Sequence, residues 1–195
     1  LHCFSIMNKK EETVMKKQIV VNDKIILRAA SPDVYQEKHE AVVRSRDHLL
    51  PWLPWVYYYD SHGAEGMKEY QEAKAKEFEN DENYAFDIFY DGEFAGCIEI
   101  MHISDKNRNC ELGYWLDVAK AGKGIMTQVV QIVTELAYRE LFMHLVIIRA
   151  AQKNQRSCSV ARRCGYELDA VLPERLLLET EWHNECVFSK VRYKK

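Results

Sequence analysis

The sequence predicts a mixed α/β fold, with a central sheet of six to seven strands flanked by helices. Apolar residues alternate with a period of two on both sides of an Asp91-Gly92 turn, as in a β-hairpin. They recur with helical spacing at 125, 126, 129, 130, 133, 136, 137 and 141. The run "HLVIIRAA" is short, β-branched and apolar, the composition of a strand buried on both faces.

The elements follow in order. "KIILRAA", Lys24 to Ala30, reads as the first strand, and Ser31-Pro32 as a helix start. Asp33 to Asp47 then reads as helix. It runs into "HLLPWLPWVYYYD", an apolar stretch that its two prolines should keep out of helix. From Gly66 to Glu79 the composition is helix-forming and mostly charged. Strands follow in "NYAFDIFYDGEFAGCIEIMHI" and "NCELGYWLDV", then the amphipathic helix from Ile125 to Leu141 and the buried strand "HLVIIRAA". "NQRSCSVARRCGY" is a short helix with Asn154 as N-cap and Gly165 as its stop. Strands near Tyr166 to Leu172 and Cys186 to Tyr193 close the sheet. The order is a meander of strands before a strand–helix–strand–helix unit.

Bulk properties narrow the function. A chain of 195 residues suits one domain. Residues 1–22 are expected to be a flexible leader, with the native start at Met7 or Met15, ahead of a single domain over 23–195. A net charge of -3 argues against nucleic acid as partner, since that affinity leans on Lys and Arg. No run approaches the roughly 20 apolar residues of a membrane span, and no long apolar segment follows the charges of the first residues, so no secretory signal is expected. None of the six cysteines sits in a CxxC pair or at zinc spacing from a histidine. The expectation is reduced thiols, no metal and a cytoplasmic protein.

The stretch "DVAKAGKGIMTQVV" carries the first chemical signal, because Gly122 and Gly124 stand at the mouth of a helix. A nucleoside-triphosphate loop needs another glycine five residues before Gly122, where Asp117 stands, and Lys-Ser/Thr after its last glycine, where Ile125-Met126 stand. A dinucleotide fingerprint needs Gly or Ala where Thr127 stands, and an acid ending the next strand, which "HLVIIRAA" lacks. A pyrophosphate seated on backbone N–H groups and the helix dipole fits, with Lys120 and Lys123 beside it. So does a turn that binds nothing.

The wider pattern separates these two. "ELGYWLDVAKAGKGIMTQVV" followed by "NQRSCSVARRCGYE" resembles the GNAT superfamily of acetyl-CoA-dependent N-acetyltransferases. Within it, the chain is most similar to the RimJ/RimL branch, which acetylates protein N-termini, notably of ribosomal proteins. The branch's second signature is Asn-x-x-Ser, a basic residue, a spacer, Gly and an aromatic, and Asn154, Ser157, Arg163, Gly165 and Tyr166 fill it. The early "LPWLPWV" is also typical of the branch. In place of the polar residues that often precede the first glycine, this chain has Ala119 and Ala121.

The resemblance implies an acyltransferase fold with a largely antiparallel sheet and acetyl-CoA as co-substrate. Backbone groups from Leu116 through Asp117 to Val118 would meet the pantetheine arm where the strand splays from its neighbour. The turn of Gly122, Lys123, Gly124, Ile125, Met126 and Thr127 would hold the pyrophosphate, and Asn154 would both cap its helix and bond the arm. Ser157 becomes the candidate acid for the departing thiolate, against a plain helix-cap role. Glu111 becomes the candidate base, against a solvated strand end; period two puts it on one face with Gly113 and Trp115. Trp52, Trp55 and Tyr57 to Tyr59 resemble an acceptor loop, and equally a hydrophobic loop buried on the domain or in a dimer. His183 is a further candidate for the cleft. Gapless extension of the motif places Leu176 where the branch can carry another glutamate, with Glu174 and Glu179 nearby.

The expected activity is acetyl transfer to the N-terminal α-amine of a protein such as a ribosomal protein, by a possible homodimer. A small-molecule amine (polyamine, aminoacyl nucleotide or antibiotic) as acceptor, and a non-catalytic acetyl-CoA-binding protein, are the alternatives.

Overall fold

The computed structural model describes residues 15–193, the side chains of Tyr58 and Asp60 excepted. Eight strands form one sheet in the order β1-β2-β3-β4-β5-β6-β8-β7. They are β1 (Gln18–Val20), β2 (Ile25–Ala29), β3 (Tyr84–Tyr90), β4 (Glu93–Ser104), β5 (Asn109–Leu116), β6 (Leu145–Ala151), β7 (Glu167–Leu178) and β8 (Glu181–Val191). Every neighbouring pair is antiparallel except β5 with β6. The helices are α1 (Tyr35–Arg44), α2 (Arg46–Leu49), α3 (Trp55–Glu79), α4 (Ile125–Arg139) and α5 (Gln155–Arg163).

Both faces of the sheet are covered. On one, Val129, Val130, Val133 and Ala137 of α4 cluster with Phe86, Ile98, Ile100, Val146 and Phe188, all buried. This is the apolar stripe of the sequence meeting the alternate residues of four strands. On the other face, Ala41, Val42, Leu49, Val56 and Met67 from α1, α2 and α3 cluster with Phe89, Phe94, Cys97 and Trp115. Close approach of β4 to β5 explains Gly96, where a Cβ would stand 2.3 Å from the Trp115 carbonyl oxygen.

Five expectations change. The sheet gains a strand, because Gln18–Val20 pairs with β2 and Met15 is buried. The expected leader over 1–22 therefore gives up its last residues to the domain; residues 1–14, with Cys3 and Met7, lie outside the described residues. The "LPWLPWV" stretch is not free of helix. Pro54 is the N-cap of α3, with φ −56° and ψ −24°, a position where the missing N–H would have had no partner within the helix anyway. Helix α3 then bends at Gly63, whose φ of 59° breaks the helical path. The first helix is interrupted at Ser45. Finally, β7 and β8 run on into a long hairpin, with Leu178 opposite Glu181.

Candidate active site

Strands β5 and β6 are paired only from Asn109–Leu145 to Glu111–Ile147. Beyond that point β5 follows β4 to Leu116, while β6 follows β8 to Ala151. The sheet opens between them into a cavity of about 1170 Å³. All five residues from Leu112 to Leu116 line it, because the opening passes through the sheet rather than lying on one face.

At one end of the opening stands the glycine turn. Gly122 and Gly124 line the cavity with φ of 79° and 72°, left-handed values that cost other residues about 1–2 kcal/mol. Gly124 is the N-cap of α4 and provides no side-chain cap, nor is there an acid in the first turn. The helix's first N–H groups and positive dipole end are thus left for an anion. Ile125, Met126 and Thr127 line the same end. The cation here is not the expected lysine. Lys120 pairs with Glu93, and the Lys123 ammonium sits 5.1 Å above the Tyr90 ring. Arg163 lines the cavity instead, its Nε donating to Thr127 Oγ1 at 3.2 Å.

Asp117 and Val118 are placed differently from expectation. The Asp117 carboxylate is fully buried, bonded by Arg44, by Ser45 Oγ at 3.1 Å and by the Ala119 N–H at 3.0 Å. Burial alone would raise its pKa, but these donors, Arg44 foremost, hold it below the usual carboxylate range. The Val118 N–H donates to Ser45 Oγ at 2.9 Å. Neither residue lines the cavity, so of the three expected for the pantetheine arm only Leu116 does. Asp117 fastens the end of β5 to the α1–α2 junction.

In the wall of the opening, Asn154 caps α5 through its Oδ1, which accepts the Ser157 N–H at 3.2 Å. The Tyr114 hydroxyl lies 3.2 Å from Ser157 Oγ and donates to the Ser157 carbonyl at 3.3 Å. Burial raises the Tyr114 phenol above its ordinary pKa, so it stays protonated. Tyr114 escaped the sequence reading, which followed the other face of β5; its signal is only its place in "ELGYWL", 43 residues from Ser157.

Glu111 stands apart from the large cavity. Its Oε1 accepts from Arg149 Nε at 3.0 Å, and its Oε2 lies 3.3 Å from His102 Nδ1. The second arm of Arg149, Nη1, donates to Glu185 Oε2 at 3.2 Å. Of the aromatics, Trp52 lines the cavity. Trp55 packs in the helical core 6.0 Å from Trp115, and Tyr57 is exposed outside the cavity. His183 lies opposite Leu176 in the β7–β8 ladder and does not reach the cavity, whereas Leu176 does. Among the described residues, no group of three or more His, Cys, Asp and Glu is placed to hold a metal ion.

A model of the acetyltransferase (GNAT) domain matches residues 24–167. YdaF of Bacillus subtilis (strain 168), named provisionally as a ribosomal N-acetyltransferase, is 24% identical over 176 residues, covering 88% of this chain and 93% of its own. The ribosomal-protein-serine acetyltransferase of Escherichia coli (strain K12) is 22% identical over 177 residues, or 91% of this chain and 98% of its own. A structure of RimL, a ribosomal L7/L12 α-N-protein acetyltransferase in complex with coenzyme A, matches with a TM-score of 0.85 at 25% identity, over 89% of this chain and 97% of that one. The family match spans the glycine turn, the splayed strand and the Ser157 helix, and with those features the chain belongs to the GNAT acetyltransferase family.

Proposed function

We propose that this protein transfers an acetyl group from acetyl-CoA to the N-terminal α-amine of a protein, with a ribosomal protein as the acceptor and the cytoplasm as the setting. The observation that carries the reading is the opening between β5 and β6, with an uncapped helix N-terminus at its end and paired hydroxyls in its wall. The residues present suit the donor. Gly122 to Thr127 would take its diphosphate on backbone N–H groups, with Arg163 adding charge, and the edge of β5 near Leu116 would pair with its amide-bearing arm. Bound there, acetyl-CoA supplies an acetyl thioester, which the amine attacks with release of the CoA thiol.

The chain's own task is then proton traffic. Ser157 Oγ passes its proton to the departing sulfur and regains one from the attacking nitrogen as the amide forms, while the Tyr114 hydroxyl, 3.2 Å away, holds the serine hydroxyl in place. Acceptor chemistry favours an α-amine. With a pKa of about 7.7–8.0, roughly a tenth of it is neutral at pH 7, against about 4 in 10,000 for a lysine near 10.4. The ribosomal-protein acetyltransferases among its relatives support the same class.

The test is thiol release from acetyl-CoA against N-terminal peptides and small amines, with Ser157→Ala run beside the wild type. Peptides should be the better substrates. The variant should lose about 100-fold in kcat while binding acetyl-CoA as before. Acetyl-CoA binding without thiol release for any amine would leave a non-catalytic binder.

A further inference from the structure

The large cavity has a single acidic wall residue among those described, Glu185. It stands on β8 opposite Ala151, the last residue of β6, and is 9% exposed. It also lines a neighbouring, shallower recess, with His102 from β4, Glu111 from β5, Arg149 from β6, and Glu174 and Arg175 from β7. Glu185 is therefore at the joint between the two spaces.

Charge is unbalanced there. Arg149 divides one positive charge between Glu111 and Glu185, so the trio carries one negative charge in excess. Both oxygens of Glu111 have neighbours, Arg149 and His102. Among the described residues, only Oε2 of Glu185 is bonded. A mostly buried carboxylate with one oxygen unbonded, at the edge of a cavity, is complementary to a cation that donates hydrogen bonds.

On the acetyl-transfer reading above, we propose that Glu185 receives the acceptor's α-ammonium group and takes its proton. An N–H bond of the ammonium breaks, its electron pair stays on nitrogen, and the proton forms an O–H bond at Glu185 Oε1. The neutral amine is left facing the opening, and the proton passes to water once product has left. Other bases are poorly placed. Glu111 does not line the large cavity. His48 does, but Arg156 Nη1 stands 2.6 Å from its Nδ1 and 3.3 Å from its Nε2, and burial together with that cation opposes a proton on the ring. Leu176, which also lines the cavity, has none to offer. The apolar wall of Leu176 to Leu178 favours the neutral amine over the ammonium once the proton has moved.

The experiment is the pH profile of kcat/KM for an α-amine peptide with wild type and Glu185→Gln, each first shown by circular dichroism to be folded. The glutamine keeps an oxygen for Arg149. At pH 6.5 the variant should be about 100-fold slower. The deficit should narrow to a few-fold by pH 9.5, because above the amine's pKa of about 8 the neutral form arrives from solution. Glu185→Asp should restore the wild-type shape of the profile. A second readout needs no turnover: by calorimetry at pH 6.5, wild type should bind the α-amine peptide about tenfold more tightly than its des-amino analogue, and Glu185→Gln should bind the two alike. A variant equal to wild type at every pH, or one with the same deficit at every pH, overturns the assignment to Glu185 alone. A wild type that acetylates no amine overturns the acetyl-transfer reading and this inference with it.

Discussion

Lys38 shows how much a single residue here depends on its partners. Its side chain is 2% exposed, and its ammonium donates to Asp87 Oδ1 at 2.9 Å and Gln71 Oε1 at 2.8 Å. Gln71 Nε2 in turn donates to Asp87 Oδ2 at 2.6 Å, so the three close a ring joining α1, α3 and β3. Burial would depress the Lys38 pKa, but the Asp87 charge outweighs it and keeps the ammonium above its ordinary value. Asp87→Ala leaves that charge buried and unpaired, and should cost about 3–5 kcal/mol in urea unfolding. Nothing in the sequence marks the pair, because 49 residues separate the partners and each belongs to an amphipathic element where a charge reads as solvent-facing. Asn154 and Ser157 were legible for the opposite reason. Their bond closes within one helical turn, so the motif and the cap are the same local fact.

Elements were legible wherever their period was unbroken. The stripe of α4 gave its face and its start at Ile125; the alternation in β3 and β4 gave their hairpin. Reading failed where position overrides propensity. Proline opposes a helix interior but is tolerated where a helix starts, and Pro54 stands there as the N-cap of α3. Period two gave the correct alternation in β5 but not which face bears the site, since the splay that exposes both comes from β6 leaving after Ile147. Asp117 belongs to this scale because it binds one element to another. Its carboxylate caps the turn Val118–Lys120 and bonds Arg44 and Ser45, joining the approach to the glycine turn with the α1–α2 corner. Since its folded pKa is lowered, its stabilising contribution is present above the unfolded value of about 3.9 and lost as pH falls through the lower folded value. Asp117→Asn should therefore be less stable than wild type at pH 7, and the gap should close in urea titrations carried below about pH 3.9.

At the scale of the whole molecule, the sheet is continuous from β1 to β7 except for the split between β5 and β6. Five buried cysteines, Cys97, Cys110, Cys158, Cys164 and Cys186, are free thiols set into this framework. Burial pushes the Cys97 and Cys110 thiols up to about 12, so they are poor nucleophiles at neutral pH. In thiol-release measurements these buried thiols should accordingly contribute little background while the protein is folded.

The split has a further consequence. The facing edges of β5 and β6 beyond Ile147 are interior strand edges with no strand between them, and a ligand whose arm carries amides can act as the absent strand. Binding would then be a completion of the sheet as much as an occupation of a site. At a ligand concentration one hundred times Kd the stabilisation is about 2.7 kcal/mol, or roughly 5–10 °C in Tm for a domain of this size. Amide hydrogen exchange should slow most at residues 112–116 and 148–151, far more than in β2 or β3, so that the two halves of the sheet, loosely joined without ligand, exchange as one unit with it.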